Sequence, residues 1–136
     1  MKILVAALAV IFVGSPASAQ SVDVGNANWS KLPAVTAKPS RIDTAQLATA
    51  VETILSTKQC TLRDQSSRHF DISVPYAVQF DPQGKVSRIL VGSMDCTPLE
   101  QLVGYVVLAR SDAGDYTAGN AGPDRWYASA VNINLR

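Results

Sequence analysis

The segment FDISVPYAVQFDPQGKVSRILVG, residues 70–92, constrains the fold more than any other. Its first half alternates strictly. Phe70, Ile72, Val74, Tyr76, Val78 and Phe80 fall on one side of an extended chain, and Asp71, Ser73, Pro75, Ala77 and Gln79 fall on the other. A period of two marks a strand with one buried face. DPQG at 81–84 is a turn: Asp81 accepts backbone hydrogen bonds, Pro82 presets its φ, and Gly84 tolerates positive φ. KVSRILVG, residues 85–92, returns as a second strand, and its apolar end suits cover on both faces. Pro75 cannot donate to a ladder, so an edge position or a local break is expected there.

A lone hairpin is marginal in water, so other elements must cover its apolar face. RIDTAQLATAVETILSTKQC, residues 41–60, has helical period, with Leu47, Val51, Ile54 and Leu55 on one stripe. Asp43 and Gln46 stand in the capping-box positions, which predicts a helix over 44–57. TPLEQLVGYVVLAR, residues 97–110, opens with Thr97 as cap, Pro98 at the first helical position and Glu100 three residues after the cap. Leu99, Leu102, Val103 and Val106 then keep helical spacing. GYVVL alone reads equally well as strand, and the cap decides for a helix, apolar enough all round to be well buried. SDAGDYTAGNAGPD, residues 111–124, reads as a loop. RWYASAVNINLR, residues 125–136, alternates again and reads as a final strand. The order helix–strand–strand–helix–strand predicts an α+β domain over 41–136. Its sheet is small, mostly antiparallel and three-stranded, with two helices packed on one face.

The first nineteen residues carry an export pattern: MK, then a twelve-residue apolar run, then SPASA with small residues flanking a cut after Ala19. That run is shorter than the about 20 residues a span requires; an uncleaved anchor is the competing reading. Cleavage removes Lys2 from the 12 basic residues, leaving 11 against 11 acidic ones. A neutral chain of this kind lacks the basic excess that nucleic-acid binding needs, and has no attraction to an anionic membrane. No later segment is apolar enough for stable membrane insertion. Residues 20–40, broken by Pro33 and Pro39, read as an extended, partly disordered lead-in. Within it Trp29 either packs on the domain's edge or is exposed for binding.

Both cysteines, Cys60 and Cys96, lie beyond the cut. An exported chain with two cysteines is expected to pair them, the alternatives being free thiols or an intermolecular bridge.

These pieces together resemble the C-terminal domain of TonB and its relatives. The matching segments are YAVQFDPQGKVSRILVGSMDC, PLEQLVGYVVLA and RWYASAVNINL, so the likeness spans about residues 43–135. Energy transducers of that family have an uncleaved membrane anchor and a long Pro-rich linker. This chain departs from them in having a cleavable signal and a short lead-in. The resemblance therefore implies the fold and a binding mode, not energy transduction. It implies that the last strand presents an edge to a segment of an envelope or outer-membrane protein, by strand addition. Here that edge comprises Trp126, Tyr127, Ser129, Val131, Asn132 and Asn134. Dimers formed by strand exchange are also compatible with it.

No catalytic, metal or cofactor set emerges. His69 is the only histidine, and Ser66, Ser67 and Asp71 near it do not make a triad, which a scaffold assembles in space. One His and two separated Cys lack zinc spacing. Asp112 and Asp115 lack the closing Glu of a calcium loop. The expected function is thus an exported, periplasmic or secreted protein-binding module with no cofactor and no enzymatic role. The rival readings are a disulfide-stapled inhibitor acting through 111–124, and an enzyme that depends on His69. Trp126 and Tyr127 are either core or rim packing or a binding hot spot.

Overall fold

The computed structural model describes residues 21–25, 29–57, 60, 70–119 and 125–135. The signal pattern, the Ser66–Ser67–His69 group and the end of the 111–124 segment lie outside the described residues.

Eight elements follow in order: β1 (Ser21–Gly25), β2 (Thr36–Ala37), α1 (Thr44–Ser56), β3 (Phe70–Phe80), β4 (Val86–Gly92), α2 (Thr97–Asp112), β5 (Tyr116–Thr117) and β6 (Trp126–Leu135). The fold is α+β. The hairpin strands and the last strand form a sheet as expected, but that sheet has four strands, in the order β1-β4-β3-β6. The fourth comes from the lead-in: β1 pairs with β4 in parallel from Ser21↔Arg88 to Gly25↔Gly92. A separate two-stranded piece joins β2 to β5.

The turn forms as its residues dictate. Asp81 Oδ1 accepts from the amides of Gln83 (2.9 Å) and Lys85 (2.8 Å), and Gly84 takes φ 79°. The alternating face of β3 is the core face: Ile72, Val74, Tyr76, Val78 and Phe80 are buried with Ile89 and Val91 of β4 and with Tyr127, Ile133 and Leu135 of β6. Phe80 meets Tyr127 edge to face, ring centres 5.4 Å apart. Pro75 marks a local break. β3 is central, but its ladder with β4 ends at Tyr76↔Val91, so the missing Pro75 amide leaves no partner waiting. Gly92 makes the room, since a Cβ there would lie 2.5 Å from Pro75 Cγ.

Asp43 caps α1, its Oδ1 accepting from Ala45 N at 2.9 Å and Gln46 N at 3.4 Å. Leu47 and Val51 are buried beneath it. Cys60 and Cys96 are bonded and tie the end of α1 to the start of α2. The start of α2 differs from expectation. The cap is Cys96 rather than Thr97, and it makes no side-chain capping bond. Glu100, only 7% exposed, instead reaches back to the amides of Met94 and Cys96, both at 3.4 Å. The chain enters through Asp95 at φ 54°, which shifts the helix start by one residue. Leu99, Val103 and Val107 form the buried stripe, while Tyr105 is 72% exposed, so α2 is less enclosed than its composition suggests.

Residues 111–119 are not the open loop that their glycines predict. α2 continues to Asp112. The amides of Gly114 and Asp115 close it onto the carbonyls of Ser111 and Arg110, with Gly114 at φ 72°, and β5 follows at once.

Candidate functional site

The lead-in does more than add a strand. After β1 it passes over the outer face of the sheet, the side away from the helices. Trp29 lies there half-buried beside Gly25. The chain then reaches the far edge of the sheet. Ala128 N donates to Pro33 O (2.9 Å) and Val35 N donates to Ala128 O (3.1 Å), making a parallel bridge at Ala34↔Ala128. The segment 29–35 is a strap that touches both edges of the sheet.

β6 pairs with β3 without a register shift from Gln79↔Trp126 to Phe70↔Leu135. In such an antiparallel strand, residues alternate between pointing both backbone groups at the neighbour and pointing both away. Ala128 uses both of its groups on the strap, so Ala130, Asn132 and Asn134 also point outward. Among the described residues no strand lies beyond them. The outer edge of β6 is therefore closed at Ala128 and open from Ala130 to Asn134.

Beside the open half runs α1. Ala45, Leu47, Ala48 and Glu52 face Asn132 and Asn134 across a groove of about 500 Å³. The alanines keep the wall low, and among the described residues Glu52 is the one charged side chain in the lining.

The residues expected to form the edge fall into three groups. Trp126 and Tyr127 are packing residues. Arg88 sits over the half-buried Trp126 ring at 5.3 Å, and Tyr127 is buried with its hydroxyl donating to Gly119 O at 3.2 Å. Ser129 and Val131 direct their backbone groups at β3. Asn132 and Asn134 are exposed on the open edge. Ala130 and the α1 wall were absent from the sequence expectation. Alternation counted outward from a known contact would have found Ala130, but that contact, the strap, has no local signature.

A second cluster gathers at the end of α2. Arg110 pairs with Asp115 (3.5 Å), donates to Lys38 O and stacks over Tyr116 at 5.1 Å. Among the described residues Tyr116 OH is buried without a hydrogen-bond partner, and burial pushes its phenol well above the ordinary range, with the neighbouring Tyr76 adding to the shift. Arg110 and Asp115 are both engaged, so this pair pins the strap's continuation. Among the described residues no His, Cys, Asp and Glu group is placed to hold a metal. Among them no helix is long and apolar enough to cross a membrane.

No family model, curated protein or solved structure matches the chain.

Proposed function

We propose that this chain is an exported periplasmic protein-binding module that takes a partner segment by strand addition on β6. One observation carries the reading: among the described residues, half of a ten-residue edge strand has no partner on its outer side. Edges left exposed without a use are normally blunted by charge, proline or a bulge. From Trp126 to Leu135 there is no charged residue and no proline, and the register is unbroken. Two further points support it: the export pattern in the sequence, and an element order from α1 to β6 compatible with the TonB C-terminal resemblance. The partner expected from that resemblance is an envelope or outer-membrane protein, and the chain is a binder rather than a transducer or an enzyme.

The test is site-specific photo-crosslinking in the exporting cell, with the reactive group placed in turn at Asn132, Asn134 and, as control, Tyr105. Cross-links from the two asparagines to an envelope protein, absent from Tyr105, are expected. Capture of a soluble hydrolase from positions in 111–119 instead would favour the inhibitor reading.

A further inference from the structure

The open half of β6 has ends as well as sides, and these define what fits. We propose that it is a slot, closed at its Ala128 end, for one short extended segment of a partner protein. That segment turns small apolar side chains toward α1 and places a basic residue beside Glu52. The proposal rests on the strand-addition reading above.

The floor is the outward backbone of Ala130, Asn132 and Asn134. Five residues from 130 to 134 advance about 14 Å along a strand. At one end the strap blocks the way, because Pro33–Val35 already occupies the next pairing position at Ala128 in the plane of the sheet. In the other direction the described part of β6 reaches Leu135. A partner strand that runs past Ala130 toward Ala128 must either leave the sheet or evict the strap. The strap is not easily lost, since Val35 packs against the core and β2 continues from it into the pairing with β5.

The two faces of an added strand meet different surroundings. Alternate side chains on the helix side enter the groove, where Ala45 and Ala48 leave space and Leu47 forms an apolar base. Side chains on the other face stand beside exposed Asn132 and Asn134, which suits polar residues. Among the described residues Glu52 is the single charge in the lining, and it is exposed, so a cationic side chain beside it on the groove face is favoured and an acidic one is disfavoured.

The probes are capped peptides: Val-Thr-Val-Thr-Lys and, because either strand direction meets the same edge groups, its reverse, Lys-Thr-Val-Thr-Val. Binding is followed by amide shifts and hydrogen exchange in the full mature chain. One of the two is expected to shift and protect Ala130, Asn132 and Asn134 and to leave Ala128 unchanged. N-methylating alternate peptide nitrogens on the edge-facing side should weaken binding about tenfold or more. Ala48→Phe should fill the groove and weaken both probes. The exposed Glu52→Lys variant, which leaves the core untouched, should lose the preference for lysine over glutamate at that position. Protection that spreads to Ala128 with release of Pro33–Val35 overturns the closed slot and keeps strand addition. No response on β6 to either peptide overturns the slot's chemistry whatever the cross-links find, and the cross-links alone decide the strand-addition reading.

Discussion

The two long edges of the sheet are handled differently. The flank of β4 is paired along five successive residues by β1, and Ser93 N adds a bond to Gly25 O beyond the last pair. The flank of β6 receives a single bridge at Ala128 from the same N-terminal segment. Residues 21–25 thus cover the flank of β4 and become the edge strand on that side, while residues 33–35 cover part of the other edge. Unpaired backbone groups on an edge invite a second chain. The other edge strand, β1, is only five residues long and carries the exposed Asp23, both of which blunt an edge, so the proposed inviting surface is β6 past Ala128, beside α1.

The largest perturbation reaches the wall of the open edge. Replacing both cysteines, Cys60→Ser with Cys96→Ser, releases the 36-residue loop that the bridge closes. The loss expected from loop closure is about 3–4 kcal/mol, read as a lower midpoint in denaturant. A change below about 1 kcal/mol would show that α1 is held by packing alone. Next comes the closed side. Gly92→Val would drive a side chain into Pro75, whose carbonyl oxygen also lies 3.1 Å from the new Cβ, and should cost about 1–3 kcal/mol. An unchanged midpoint would mean that β4 and β3 separate there without penalty.

The strap gives a smaller, sharper test. Val35→Pro removes the donor to Ala128 O and should cost about 0.5–1.5 kcal/mol. It should also raise amide exchange at Ala128 while leaving the inward-facing Ser129 and Val131 slow. Equal acceleration at all three would indicate fraying of β6 from β3 instead.

The smallest effect is at Tyr116, at the strap's continuation. Its pKa is raised in the fold, so the linked stability is fully present below the ordinary phenol value of about 10 and is lost as pH rises through the folded value. Unfolding midpoints should fall above about pH 10. Tyr116→Phe should flatten part of that fall and, since it removes an unpartnered hydroxyl, change neutral-pH stability by less than about 1 kcal/mol. An unaltered alkaline profile would place the titrating group elsewhere.

Much of the fold was legible because it is written in local periods. The alternation of Phe70–Phe80 fixed that strand to the residue, and Leu47 and Val51 with Asp43 fixed α1 to within one residue at its end. β1 was not legible. Its five residues, SVDVG, alternate too briefly to stand out, and their partner lies more than sixty positions away in parallel pairing. The two-residue strands β2 and β5 are below the length at which a period exists. The start of α2 was displaced from Thr97 to Cys96 by Glu100 and the left-handed Asp95, a tertiary arrangement built around the disulfide. The last strand forms over the residues where the sequence placed it. Which half is open depends on where Pro33–Val35 docks, and that contact joins segments about a hundred residues apart.

The central claim is that β6 is closed at Ala128 and open from Ala130 to Asn134. Residue-resolved hydrogen exchange on the isolated, mature, oxidised chain tests it most directly. Slow exchange at Ala128, Ser129, Val131 and Ile133, with fast exchange at Ala130, Asn132 and Asn134, is the predicted result. Equally slow exchange at Ala130, Asn132 and Asn134 in a proven monomer would contradict it, because the edge would then already be occupied.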